Sequence, residues 1–98
     1  MSKVYFTIAG MNHYYGMDFL EPGMKVKLRK EPDNEYDTEA ICVEFKGLGK
    51  IGYVANSPYT VIGDSFSAGR MYALIKKKAK GKVLLLTSKG ALCELKED

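Results

Sequence analysis

Residues that bind metals are scarce in this sequence of 98 residues, which has one histidine, His13, and two cysteines, Cys42 and Cys93. A structural zinc site needs about four nitrogen or sulfur ligands, and no C-x-x-C pair is present to supply them. Each cysteine lies in an alternating or apolar stretch, where a small buried thiol fits. We therefore expect two buried free thiols, no disulfide, no metal and no other cofactor.

Long apolar runs are also missing, since the longest is "VLLL" at positions 83–86. A membrane-spanning helix needs roughly 20 apolar residues, and the first residues lack the basic and then apolar pattern of a signal peptide. These features predict a cytoplasmic protein that does not contact a membrane. A hydrophobic content of 46% and a charged content of 28% are typical of an ordinary folded protein, so we predict one domain over residues 1–98.

Catalytic motifs are missing as well. The sequence has no phosphate-binding P-loop, His13 has no evident nucleophile to serve, and the clustered acids do not form a pair suited to a metal-dependent nuclease. We therefore expect a small module that is not an enzyme.

The charge distribution is uneven although the formal net charge is only +3. Residues 31–44 hold six of the 12 acidic residues, whereas residues 65–93 contain seven basic residues and no acid. The molecule should therefore have an acidic and a basic side. The run "KKKAKGK" at positions 76–82 is expected to form the solvated end of a hairpin, and it offers contacts to phosphate.

Alternation of apolar and polar residues predicts four strands in the first half of the chain. The strand "KVYFTIAG" has one apolar side and places Thr7 on the other, and "GMKVKLRK" presents Lys25, Lys27 and Arg29 on its polar side. The segments "AICVEFKG" and "GKIGYVAN" should form a hairpin across a glycine-rich turn.

The second half of the chain is predicted to contain one helix and further strands. Ser57 is positioned to cap a short helix between Ser57 and Gly69. The segment 70–95 should form two strands joined through Lys80 and Gly81, with a short third piece over residues 91–95. The pattern predicts an all-β fold with one or two short helices, a small six-stranded OB-like β-barrel.

Three sequence blocks, "AGMNHYYG", "LRKEPDNEYDTEAICV" and "KGLGKIGYVAN", occur in this order. Together they resemble the HIRAN domain family, from about residue 4 to residue 86. The resemblance implies a small OB-like barrel that binds single-stranded DNA, grips the 3′ end through its free hydroxyl, and assists DNA repair, replication or mobile-element proteins. It also implies a DNA-processing protein as a further partner.

The family motif places the paired aromatic residues on Tyr14 and Tyr15, and the motif Asn-x-Tyr-Asp on Asn34, Tyr36 and Asp37. Three positions depart from the pattern of some members. His13 stands where they have a basic residue before the aromatic pair, Tyr53 where they have a histidine, and Asn56 where they have a lysine. These departures weaken the phosphate clamp that the resemblance implies.

The residue types fit this chemistry independently of the family. Tyrosine rings can stack on the exposed faces of unpaired bases, although one of Tyr14 and Tyr15 should lie in the core because neighbouring residues of an extended chain point to opposite faces. Asp37 can accept a hydrogen bond from a terminal hydroxyl and repel a phosphate, or it can build the loop. Asn34 is expected to build the loop, and Lys30 is the cation closest to the loop in sequence.

Other acids and other functions stay open at this point. The acids of the loop besides Asp37 have no expected role beyond solvation; they are Glu31, Asp33, Glu35 and Glu39. A protein-interaction barrel with the tyrosines as its hot spot is one alternative. An RNA-binding module is another, because stacking does not distinguish the sugar.

Overall fold

The computed structural model describes residues 3–97, which form a closed antiparallel barrel of six strands. The strands are β1 (Tyr5–Ala9), β2 (Lys25–Lys30), β3 (Ile41–Phe45), β4 (Gly49–Val54), β5 (Lys78–Thr87) and β6 (Gly90–Glu97). A 3₁₀ turn (Met11–His13) follows β1, and a short helix, α1 (Ala68–Tyr72), precedes β5. Around the barrel the strands follow the order β1-β4-β3-β2-β5-β6. The predicted six-stranded barrel is confirmed.

The core fills the inside of the barrel with side chains from all six strands. It includes Phe6, Ile8, Val26, Leu28, Ile41, Val43, Ile51, Val83 and Cys93. Cys42 and Cys93 are buried and free, as expected. Burial of the two thiols raises both pKa values to about 12, so both stay protonated at neutral pH. Within the described chain, no helix has the length and apolar character needed to cross a membrane.

The middle of strand β1 is buried on both sides, which its alternating sequence did not predict. Thr7 was expected on the polar side, but it is fully buried because the segment preceding α1 covers it. The Thr7 and Ser65 hydroxyls are 2.9 Å apart, and the Ile62 backbone N–H donates to the Thr7 hydroxyl at 3.0 Å. The buried polar group is therefore fully satisfied.

The predicted helix between Ser57 and Gly69 is wrong in position. Ser57 caps one isolated turn, in which its hydroxyl accepts a hydrogen bond from the Tyr59 backbone N–H at 3.1 Å. The chain then passes through Gly63 at a φ of 53°, a value that a right-handed helix does not allow. The helix begins after Ser67, whose hydroxyl accepts from the backbone N–H of Arg70 at 3.3 Å.

The predicted break at Lys80 and Gly81 is also wrong, because β5 runs through both residues. Gly81 faces the inside of the barrel, where an added Cβ would lie 2.7 Å from Cζ of Phe6. The glycine therefore provides space for Phe6 and does not make a turn. The chain reverses after Thr87 instead, and β6 is a full strand and not a short piece over residues 91–95.

Candidate nucleic-acid interface

An open groove of about 650 Å³ lies beside the ends of β1 and β4 and the acidic loop between β2 and β3. Five of the eight predicted site residues line it, namely His13, Tyr14, Tyr36, Asp37 and Tyr53. Tyr15, Asn34 and Lys30 lie outside it. The remaining lining residues are Ala9, Gly10, Val54, Ala55, Asn56, Ser57 and Thr60. We call this feature the tyrosine groove.

Tyr14 and Tyr53 form one wall of the tyrosine groove, with ring centroids 6.5 Å apart and planes tilted by 46°. Gly10, at a φ of 72°, turns the chain out of β1 into the 3₁₀ turn, which ends next to Tyr14. Buried Met11 anchors this turn to the core. Tyr14 is therefore held by the barrel, with 41% of its surface exposed.

Tyr15 points away from the tyrosine groove and donates a hydrogen bond from its hydroxyl to the Leu48 carbonyl at 3.2 Å. Its surface is 56% exposed, so the expectation that Tyr14 or Tyr15 is in the core is wrong. The two residues follow a 3₁₀ turn and are not part of an extended strand, so the alternation of a strand does not apply to them.

Tyr36 is the most exposed aromatic side chain of the tyrosine groove, at 90%. Asn34 holds the backbone around it: the Asn34 side-chain carbonyl accepts from the N–H groups of Tyr36 at 2.9 Å and Asp37 at 3.0 Å. The Asn34 amide also donates to Glu31 at 3.1 Å. Asn34 therefore builds the loop, as expected, and positions the neighbouring aromatic ring.

Asp37 uses its two carboxylate oxygens differently. Oδ1 accepts from the Glu39 backbone N–H at 2.9 Å and closes the turn, whereas Oδ2 accepts from the Asn56 amide at 2.7 Å. The Asn56 carbonyl in turn accepts from the Gly69 backbone N–H at 2.8 Å, at the start of α1. Asp37 thus both builds the loop and presents a carboxylate oxygen at the tyrosine groove. Asn56, noted in the sequence only as a missing lysine, connects three segments.

Glu31 is the centre of a network below the tyrosine groove, so the expectation that it is merely solvated is wrong. Its side chain is only 15% exposed and lies 3.0 Å from Lys50 Nζ. The Tyr53 hydroxyl donates to Glu31 at 2.7 Å and accepts from Lys50 at 2.7 Å. These contacts fix the ring of Tyr53 in the groove wall. Sequence spacing could not reveal them, because Lys50 and Tyr53 lie on β4, far from Glu31 in the sequence.

The same network changes three pKa values. Burial alone would raise the pKa of Glu31, but hydrogen bonds from Tyr53, Lys50 and Asn34 outweigh it and lower the pKa to about 2. The pKa of Lys50 is raised mainly by its hydrogen bond to Tyr53 and, to a smaller extent, by its contacts with Glu31. Burial is the main cause of the raised pKa of Tyr53. At neutral pH the network therefore contains a charged pair and a neutral phenol.

A family model for the HIRAN domain matches residues 1–62. The chain belongs to the HIRAN domain family. Every residue that lines the tyrosine groove falls within the matched segment, whereas α1, β5 and β6 lie beyond it. Because the family binds DNA, membership supports a nucleic-acid-binding module, as the sequence blocks indicated.

Two solved structures share the barrel of this HIRAN domain. A protein from Lactobacillus plantarum is 26% identical over 98% of this chain and 95% of that chain, with a TM-score of 0.66. The HIRAN domain of human HLTF is 19% identical over 96% of this chain and 71% of that chain, with a TM-score of 0.63. At this identity the human domain shows the fold alone. Comparison with curated proteins found no match.

Cations are scarce in the tyrosine groove of this HIRAN domain. Among the described residues that line it, none is lysine or arginine. Lys30 lies outside, with its Nζ 4.2 Å from the ring centroid of Tyr72 in α1. In residues 3–97 no group of three or more His, Cys, Asp or Glu side chains could hold a metal ion. The groove therefore offers aromatic rings and a carboxylate, and little positive charge.

Proposed function

We propose that this HIRAN domain is a non-enzymatic module that binds single-stranded DNA at its 3′ end in the tyrosine groove. We place it in the cytoplasm, as an accessory to DNA repair, replication or mobile-element proteins. The observation that carries the proposal is the meeting of three tyrosine rings and the Asp37 carboxylate in one open groove.

Stacking supplies the affinity in this proposal. An aromatic ring that stacks on a base contributes about 1 to 3 kcal/mol, and the contribution varies little with base identity. Tyr36 presents a ring that is 90% exposed, and Tyr14 presents one that is 41% exposed. Tyr53 is already fixed by its hydrogen bonds to Lys50 and Glu31, so its ring loses little freedom on binding.

Asp37 supplies the preference for a free 3′ hydroxyl. Its Oδ2 accepts a hydrogen bond from Asn56 in the free protein, and a terminal hydroxyl is a donor that suits the same oxygen. A phosphate at this position would place negative charge against the carboxylate, with no lysine or arginine among the described lining residues to offset it. An internal nucleotide or a 3′-phosphorylated end is thereby disfavoured.

The decisive experiment compares matched single strands that carry a 3′ hydroxyl or a 3′ phosphate, by fluorescence anisotropy. We expect the wild type to prefer the hydroxyl. In Asp37→Asn the preference should shrink, because the amide can still accept a hydrogen bond but does not repel phosphate. Asp33→Asn removes the same charge from an exposed position of the same loop and should leave the preference unchanged. If Asp37→Asn folds normally by circular dichroism and keeps the wild-type ratio, Asp37 does not read the end.

A further inference from the structure

A second candidate surface lies on the outside of β2 and β5. It is a depression of about 610 Å³ that contains six lysines, Lys25, Lys27, Lys46, Lys80, Lys82 and Lys96. We call it the lysine face. The sequence predicted that the lysines of residues 76–82 form the end of a hairpin. Instead, β5 pairs with β2, which brings Lys80 and Lys82 of β5 next to the lysines of β2.

The register of β2 and β5 sets like charges directly opposite each other. Lys25 is opposite Lys82, and Lys27 is opposite Lys80. Beyond the six lysines, Arg29 is opposite Lys78. Like charges at directly opposed positions destabilise an antiparallel sheet. Lys25 and Lys82 have no ion pair among the described residues, so a bound anion would relieve the repulsion between them.

The neighbouring acids reach only part of the lysine face, because Glu94 pairs with Lys96 and Glu97 is opposite Lys80 in the register. Glu44 is opposite Lys27 in the register, but its carboxylate accepts from Arg29 at 2.9 Å. Glu94 is opposite Lys82, but it pairs with Lys3 at 3.6 Å and Lys96 at 3.7 Å. Within the part of the chain that the structure describes, Lys25, Lys27 and Lys82 form no ion pair.

The chemistry of the lysine face identifies the ligand class. Outward residues of a strand recur about every 6.6 to 6.8 Å, and neighbouring strands lie about 4.7 to 4.9 Å apart, so the lysines form a regular grid. Surfaces for single strands combine cations with stacking rings. None of the described residues that line this face is aromatic. A surface with cations but without aromatic rings can contact phosphates but does not stack on bases. Duplex DNA matches such a surface, because its phosphates are exposed and its bases are stacked inside.

We propose that the lysine face binds the phosphate backbone of duplex DNA. This site is separate from the tyrosine groove, because β3 lies between β2 and β4 on one side of the barrel and β6 lies between β5 and β1 on the other. The inference does not rest on the proposed function of the groove. A domain with both sites holds a single-stranded end on one wall and the adjoining duplex on another.

The test uses a relaxed, covalently closed duplex circle, which has no ends for the tyrosine groove to bind. The Lys25→Gln/Lys82→Gln variant removes one opposed pair from the lysine face. The matched control, Lys76→Gln/Lys77→Gln, removes the same charge from exposed positions just before β5. Tyr36→Ala serves as the control for the groove.

We expect the wild type to bind the closed circle and Lys25→Gln/Lys82→Gln to bind roughly tenfold more weakly at low salt, with a log–log salt slope smaller by about 1.8, because two phosphate contacts are lost at about 0.9 each. Lys76→Gln/Lys77→Gln and Tyr36→Ala should bind like the wild type. In the absence of DNA the melting temperature of Lys25→Gln/Lys82→Gln should equal or exceed that of the wild type, since a repulsion is removed.

Three results would overturn the inference. The first is a wild type that does not bind the closed circle. The second is an equal loss in the two lysine variants, which would mean that net charge alone decides binding. The third is tighter binding to vesicles of phosphatidylserine and phosphatidylcholine than to DNA through the same lysines, which would assign the face to an anionic lipid surface.

Discussion

The tyrosine groove and the lysine face differ in almost every property that matters for nucleic acids. The groove has three tyrosine rings and a carboxylate, formed largely by loops and strand ends. The lysine face has six lysines and is formed mainly by two regular strands. Loops can position a few specific groups at one point, whereas paired strands repeat one group at a fixed spacing. The barrel therefore separates aromatic rings, which suit bases, from lysines, which suit phosphates.

This difference predicts that binding at the two surfaces depends on salt to different extents. Stacking neutralises no phosphates, so binding by stacking alone changes little with ionic strength, whereas binding through lysines falls steeply as salt is added. A ligand with both a single-stranded end and a duplex should show an intermediate slope. The substitutions below change the tyrosine groove and leave the lysine face intact.

The largest effect should come from Glu31, which supports the tyrosine groove from below. Its pKa is lowered to about 2 from an ordinary value of 4.5, so its stabilising contribution is present above about pH 4.5 and is lost as the pH falls toward 2. One pKa unit corresponds to about 1.36 kcal/mol, so Glu31→Gln should lower the free energy of unfolding at pH 7 by at most about 3 kcal/mol. Urea unfolding between pH 7 and pH 2.5 measures this.

The pH profile provides the specific signature for Glu31. Between pH 4.5 and pH 2, the stability of Glu31→Gln should fall much less than that of the wild type. Glu35→Gln, at an exposed position of the same loop, should keep that decline. Identical profiles for the wild type and Glu31→Gln would show that the network with Lys50 and Tyr53 does not stabilise the fold.

The second effect concerns Tyr36, whose ring is 90% exposed. Tyr36→Ala should weaken the binding of single-stranded DNA by about 1 to 3 kcal/mol, with or without a 3′ hydroxyl, because a stacking surface is lost. The salt slope should not change. Tyr59→Ala is a matched control, since Tyr59 is 87% exposed but does not line the groove. If fluorescence anisotropy shows equal losses of affinity in the two variants, the groove has no special role in binding.

The smallest effect should come from adding a cation to the tyrosine groove. Asn56→Lys places an ammonium beside Asp37, so the salt slope for single strands should steepen by about 0.7, the value for one added phosphate contact. The preference for a 3′ hydroxyl over a 3′ phosphate should narrow. Ser88→Lys, which adds the same charge in the β5–β6 turn, should change neither quantity. An unchanged salt slope in Asn56→Lys would mean that no phosphate of the bound strand lies near residue 56.

The strands of the barrel could be predicted where one side is apolar and the other polar. Val26 and Leu28 alternate with lysines, and both point inward as expected. Prediction was wrong where tertiary contacts override the local pattern. Gly81 resembles a turn residue but provides space for Phe6, and Thr7 resembles a surface residue but is covered by the segment around Ser65.

The site was predicted in part for the same physical reason. The family motif indicated Tyr14, Tyr36 and Asp37, and the chemistry of rings and carboxylates fits the roles that it implies. Asn56 and Glu31 were missed as functional positions, since their roles come from hydrogen bonds to distant segments. Lys30 is near the acidic loop in sequence, but it contacts Tyr72 and not the groove.

The segment that carries the family match is shorter than the unit that can fold. Residues 1–62 include β1 to β4, whereas the two strands that close the barrel lie beyond residue 77. Without them β1 and β2 would each lose a neighbour and become open sheet edges, which are templates for pairing with other chains. Phe6 would also lose its contact with Gly81. A fragment cut at residue 62 would keep every side chain of the groove and still aggregate.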